Sequence, residues 1–124
     1  PAMPRPVDRG ILSGRARDGL GRDLVQLLQR VVGRGAARVR VFDDAGYIVC
    51  ALDKALLPHE QVLLDGQRGD LVREARQTLL EQCTADIRSI LERHTDRTLV
   101  EARVQVVRDP DVVFLVLDTG RGAP

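Results

Sequence analysis

Few side chains in this 124-residue chain can do chemistry, and they are far apart. There are two histidines, His59 and His94, and two cysteines, Cys50 and Cys83. His59-Glu60 starts like the His-Glu-x-x-His of a zinc hydrolase, but the fifth position is Leu63, so the second imidazole on that helix face is missing. The chain also lacks the paired ligands of a structural zinc site. Neither histidine has an adjacent serine or cysteine to arm as a nucleophile. Cys83 falls on a helical stripe that a core would bury, where a thiol is inert. Two acidic turns, Asp43-Asp44 and Asp109-Pro110-Asp111, would gather enough carboxylates for a hard cation if they met at one end of the fold. Taken separately they are ordinary turn chemistry. Gly33-Arg34-Gly35 lacks the third glycine of a dinucleotide loop and follows a helix rather than a strand, so it is not a phosphate cradle. The expectation is no catalytic, metal or cofactor-binding residue and no cofactor, with Asp109 and Asp111 kept as a candidate functional turn.

Charge offers a second route to function. Residues 1–41 hold nine Arg against three Asp, net +6, and the remaining 83 residues hold nine Arg and one Lys against fifteen acids, net −5. Arg34, Arg38 and Arg40 cluster after the first helix and form a candidate anion or partner patch. Base stacking has little to work with, because Phe42, Tyr47 and Phe114 are the only aromatics. Tight nucleic-acid binding is therefore not expected.

The elements that must carry these residues follow from periodicity. A chain of this length supports one core, read as a single domain over 12–118 between a disordered leader, 1–11, and a disordered tail, 119–124. Met3 reads as the natural start. No apolar run approaches the ~20 residues of a membrane span, and the Pro-rich start lacks a signal peptide's apolar segment, so a cytoplasmic location is expected. Cys50 and Cys83 are read as buried reduced thiols.

The organising stretch is Leu71 to His94. Val72, Ala75, Leu79, Cys83, Ile87, Ile90, Leu91 and His94 recur at steps of three and four, which predicts one long helix of about 36 Å. Arg73, Arg76 and the other charged residues are placed on its wet side. A first helix is read from about Leu12 and is firm only from Leu20 to Val32, since Gly14, Gly19 and Gly21 weaken its first half by up to ~1 kcal/mol each, with Gly33 as its cap. Ala37 to Leu52 reads as a hairpin around a four-residue loop, Asp43 to Gly46, which sets Phe42 opposite Tyr47, Val41 opposite Ile48 and Val39 opposite Cys50. Its inner face is then Val39, Val41, Ile48, Cys50 and Leu52. The outer face is Arg38, Arg40, Phe42, Tyr47 and Val49. Pro58 and Glu60 open a short helix. Leu99 to Val107 alternates as a strand, and Val112 to Leu117 is apolar on both faces, which predicts the centre of a sheet covered on each side. The predicted fold class is α+β: a four-stranded, mainly antiparallel sheet of two β-hairpins, packed by an N-terminal helix, a short helix and one long helix, in the order α-β-β-α-α-β-β.

Four motifs fall in order along this frame. They are Gly33-Arg34-Gly35-Ala36, Leu56-Leu57-Pro58-His59-Glu60-Gln61-Val62-Leu63, Gly69-Asp70-Leu71-Val72-Arg73-Glu74-Ala75-Arg76, and Asp109-Pro110-Asp111 before Val113-Phe114-Leu115-Val116-Leu117. From about Leu20 to Asp118 the chain resembles the bacterial MpsC family, named for a component of a sodium-translocating, membrane-potential-generating system and formerly a domain of unknown function. The resemblance implies an accessory or regulatory partner of a membrane transport system, linked in some relatives to bicarbonate or cation movement. With no membrane segment of its own, such a chain needs a membrane transporter partner and cannot be the pore.

The sequence-level expectation is a non-enzymatic homodimeric accessory or regulatory protein. The dimer follows from counting surfaces: two helical stripes and a strand greasy on both sides exceed what one sheet face absorbs. Phe42, Tyr47 and Val49 are the candidate interface, with the helices as the other location. The alternative function is a small anion- or nucleic-acid-binding regulator using Arg34, Arg38 and Arg40.

Overall fold

The computed structural model describes residues 12–120. The leader and most of the tail named above lie outside the described residues. Helix α1 runs Gly14–Val31, strands β1 and β2 Arg38–Asp44 and Tyr47–Asp53, helices α2, α3 and α4 Pro58–Asp65, Gly69–Gln82 and Thr84–His94, and strands β3 and β4 Glu101–Val107 and Val112–Asp118. The sheet is antiparallel throughout, in the order β1-β2-β4-β3. The α+β class, the element order and the central position of the last strand are as the sequence implies.

The helices pack on one face of the sheet. Val39 and Val41 of β1, Ile48, Cys50 and Leu52 of β2, Ala102 and Val104 of β3, and Val113, Leu115 and Leu117 of β4 meet Leu20, Leu24, Leu27 and Leu28 of α1, Val72 and Leu80 of α3, and Ile87, Ile90 and Leu91 of α4. Burying these aliphatic side chains, each contributing about 1.5–3 kcal/mol, is the main force holding helices to sheet.

Four local features differ from the sequence reading. First, α1 is regular from Gly14, through the half that its glycines were expected to weaken and six residues before the firm start expected at Leu20. Ser13 accepts a hydrogen bond from Ala16 N–H at 3.0 Å and caps the helix. Gly19 and Gly21 serve close approach: a Cβ at Gly19 would run into the His94 ring, and one at Gly21 into the Val39 side chain. Tertiary packing offsets their poor helix propensity.

Second, the expected long helix is broken at Cys83, whose φ and ψ are −103° and 14°. Cys83 N–H is shared by the Leu79 and Leu80 carbonyls, and the Thr84 hydroxyl donates back to Glu81 O at 2.8 Å. A straight 24-residue helix of ~36 Å would overrun strands of seven residues, about 23 Å long. The break lets α3 lie on β3 while α4 turns onto α1.

Third, the first hairpin turns through two residues, not four. Ala45 and Gly46 both have positive φ, 50° and 88°, the backbone of a type I′ turn. Asp43 and Asp44 thus join β1, Phe42 pairs with Val49, Val41 with Cys50 and Val39 with Leu52. A shift of two positions preserves which side chains face the helices, since strand side chains alternate with period two.

Fourth, Arg76 is not on the wet side of its helix. It is 4% exposed. Past the expected domain end, Thr119 donates from N–H and hydroxyl to Gly46 O at 2.8 and 2.7 Å.

Candidate functional site

Three clusters of charged side chains tie elements of the fold together among the described residues. Arg76 Nε donates to Glu60 Oε2 and its Nη2 to Glu60 Oε1, both at 2.7 Å, and Nη2 also reaches Ala55 O at 2.8 Å. Leu57 N–H donates to Glu60 Oε1 at 2.8 Å. Burial pushes the Glu60 carboxyl up, but these bonds outweigh it and hold the group below its usual value. A second fork joins Arg97 to Asp43, at 2.9 and 2.8 Å, and Asp43 also accepts Leu12 N–H at 3.0 Å. A third cluster links α1 to α4: Asp23 Oδ2 lies 2.7 Å from both His94 Nε2 and Arg93 Nη1. The hydrogen bond with His94, opposed by partial burial and reinforced by Arg93, holds Asp23 below its usual value.

The acidic turns do not meet. The hairpin turn lies at the end of the sheet where Tyr47 pairs with Asp118, and the Asp109–Asp111 turn at the end where Asp53 pairs with Val112. Strands about 23 Å long separate them, so no shared cation site forms from the two. Asp111 instead organises its own loop: Oδ1 accepts Leu56 N–H at 3.1 Å and its carbonyl accepts Lys54 N–H at 2.9 Å. Cys50 is fully buried, which pushes its thiol up to about 12. Cys83 is half-buried beside a cavity of ≈ 20 Å³ between α1, α3 and the sheet, lined chiefly by Leu27, Val31, Leu79 and Leu80.

What remains open is the other face of the sheet. Residues level with one another across the four strands give four rows. Arg38, Asp53, Val112 and Val107 form the first, and Arg40, Ala51, Phe114 and Gln105 the second. Phe42, Val49, Val116 and Arg103 form the third, and Asp44, Tyr47, Asp118 and Glu101 the fourth. No described helix lies on this face. Phe42 and Tyr47 are 48% and 40% exposed, Val49, Phe114 and Val116 are half-buried between their neighbours, and Ala51 and Val112 are buried. The two-sided apolarity of β4 thus gives an apolar centre bordered by charge, the composition of an interaction surface.

The three candidate arginines converge at one corner of that face. Arg40 Nη2 donates to Asp53 Oδ1 at 2.9 Å, Arg38 Nε stands 3.9 Å from Asp53 Oδ2, and Arg34 Nε donates to Lys54 O at 3.2 Å. Arg38 and Arg40 are thus the two cations that reach the Asp53 carboxylate among the described residues, while Arg34 is held by the backbone carbonyl of the next residue, Lys54. Arg40 Nε is buried without a hydrogen-bond partner among the described residues. Sequence reasoning missed Asp53 and Lys54 because its register placed them two positions away from Arg38.

Residues 15–118 match the family model described as Na+-translocating membrane potential-generating system (MpsC). The chain belongs to the MpsC family. No curated protein and no solved structure matches it. The family's description ties its members to a sodium-translocating membrane system, and no described helix of this chain is long and apolar enough to cross a membrane.

Proposed function

We propose that this MpsC chain is a non-enzymatic, homodimeric accessory protein that acts in the cytoplasm as regulatory partner of the membrane-embedded, ion-moving part of its system. The observation that carries this reading is the open sheet face: an apolar centre on a central strand, with aromatic anchors Phe42 and Tyr47 at its margin, is costly to leave in water. The internal acids and bases are committed to holding elements together, with Glu60 tied to Arg76, Asp43 to Arg97 and Asp23 to His94. Lacking a spanning helix among the described residues, the chain would reach the membrane through another protein.

Two measurements test this. Light scattering at micromolar concentration should give twice the 13.7 kDa chain mass, and Phe42→Asp should halve it. Co-expression with the membrane subunits of the system should recover this chain in the detergent-solubilised complex. A monomer in the first, or its absence from the complex in the second, removes the corresponding half of the proposal.

A second reading rests on Arg34, Arg38 and Arg40, of which Arg38 and Arg40 flank Asp53: a small regulator that binds an anion or nucleic acid. Steep salt dependence of polyanion binding would favour it.

A further inference from the structure

The open face is charged oppositely at its two ends, and this fixes how two copies can stack. Arg38 and Arg40 stand on β1 at one end, with Arg34 and Lys54 beside them. Asp44, Asp118 and Glu101 occupy the row at the other end, where Glu101 is already paired with Arg103 at 2.8 Å. Between the ends lie Val49, Ala51, Phe114 and Val116.

A two-fold axis lying between two stacked sheets has two simple directions. Along the strands, it superposes each row on itself and reverses strand order. Asp44 then faces Glu101 of the partner subunit, twice per dimer, and Arg38 faces the aliphatic Val107. Across the strands, it keeps strand order and reverses the rows. Arg38 then faces Asp44 of the partner subunit, Tyr47 faces Asp53, Arg40 lies over the ring of Phe42, and Phe114 meets Val116 at the centre.

We infer that this chain pairs face to face about an axis running across its strands, with Arg38 of each subunit against Asp44 of the other. The inference rests on the homodimer proposed above and adds its orientation. Opposite charges meet at both β1 corners, Glu101 lies over the aliphatic Val107 at both β3 corners, and like charges meet at none of the four. A carboxylate facing the Tyr47 hydroxyl and an arginine facing the Phe42 ring arise in both directions, from Asp53 and Arg40 across the strands and from Asp118 and Arg103 along them. These contacts support face-to-face pairing, and the charged corners select its direction. Aligned sheets pack rotated by about 30°, which shifts the corners by a few ångströms, within an arginine's reach. The central aliphatic and aromatic side chains supply the affinity, and the corner charges select the direction.

The test measures dimer dissociation constants by analytical ultracentrifugation at low salt, with circular dichroism checking each variant's fold. Arg38→Asp alone sets two carboxylates against each other at each corner, and Asp44→Arg alone sets two guanidinium groups against each other there. Each should dimerise about tenfold or more weakly than the parent chain. Mixed in equal amounts, the two variants pair with like charges in conflict at neither corner, and the mixture should recover parental affinity. Val116→Lys, at the centre of the face, should be monomeric. A monomeric parent chain would overturn both the dimer and its orientation. A Val116→Lys variant that still dimerises would move the interface elsewhere, an edge-to-edge pairing of β1 included, while leaving the dimer standing. Single reversals without effect, or a mixture that does not recover, would overturn the axis across the strands and leave the dimer standing.

Discussion

Arg76 and Glu60 form a two-pronged ion pair inside the protein, with both N···O distances 2.7 Å and both side chains under 8% exposed. The pair joins α3 to the first turn of α2, and through Arg76 to the Ala55 carbonyl it also fixes the loop that leaves β2. Glu60 serves at once as capping residue for Leu57 N–H and as counter-ion, so helix entry and tertiary docking depend on one carboxylate.

Removing one partner of such a pair leaves a buried charge uncompensated. Arg76→Met should therefore lower unfolding free energy by about 3–5 kcal/mol, measured from urea denaturation midpoints. Adding Glu60→Gln should recover part of the loss, because the stranded charge goes with it. A cost below ~1 kcal/mol for Arg76→Met would mean that Glu60 is rehydrated in the variant and that the joint contributes little.

Acid should weaken the fold through two identified carboxyls. Asp23 and Glu60 both lie below their usual values in the folded state. A depressed carboxyl contributes stability that is fully present above the unfolded-chain pKa, near 4, and is lost as pH falls through the lower folded value. Denaturation midpoints should thus decline between about pH 5 and about pH 2. Asp23→Asn should flatten that decline while lowering stability at neutral pH. A decline of the same steepness in Asp23→Asn would assign the acid sensitivity to other groups.

Most of the fold was legible because it is written in side-chain periodicity. The alternation in β1 and β2 identified the helix-facing residues correctly even with the register two positions off, since an even shift leaves faces unchanged. Turn geometry is not encoded by alternation. The Asp43 carboxylate prefers Arg97, 54 residues away, and that draws Asp43 and Asp44 out of the loop into the strand. The break at Cys83 was hidden because the apolar stripe continues across it, so α3 and α4 each read as part of one helix. Arg76 looked like a surface residue for the same reason that Gly19 looked like a helix breaker. Each is explained by a distant partner, Glu60 for one and His94 for the other, that local pattern cannot supply. For the open face, Arg38, Arg40, Phe42, Tyr47 and Val49 were readable as one surface, whereas the pairing of Asp53 with Arg38 required the true register.

Gly19 offers a test in which propensity and packing have opposite signs. In an isolated helix Gly19→Ala would stabilise by up to ~1 kcal/mol. Here the added methyl meets the His94 ring, held in place by Asp23. The variant should be less stable than the parent by about 1–3 kcal/mol in urea denaturation. In a His94→Ala background the same change should turn neutral or stabilising. If Gly19→Ala stabilises with His94 present, α1 and α4 can separate at little cost.

The two thiols should differ in reactivity. Cys50 is fully buried on the helix-facing side of β2, with its thiol pushed up to about 12, so almost no thiolate exists at neutral pH. Cys83 is half-buried at the α3–α4 break. A chromogenic disulfide reagent at neutral pH should titrate one thiol quickly in the native protein and two in denaturant, and Cys83→Ser should abolish the fast one. A fast signal persisting in Cys83→Ser would mean that the sheet opens readily around Cys50.

Binding of a generic polyanion separates the accessory reading from the anion-binding one. Arg38 and Arg40 both face the Asp53 carboxylate, which holds Arg40 at 2.9 Å and so neutralises part of the patch, and Arg34 is bound to the adjacent Lys54 carbonyl. Three arginines neutralising three phosphates of a single strand would give a log–log salt slope of about −2, roughly a twentyfold loss of affinity between 50 and 200 mM salt. Stacking adds little, because Phe42 is the one aromatic beside Arg40 on its strand. Single-stranded DNA or RNA should thus bind with a dissociation constant weaker than about 1 μM at ~150 mM salt, measured by fluorescence anisotropy. Sub-micromolar binding at that salt, lost when the three arginines are changed to alanine, would make the anion-binding reading the better account of the corner.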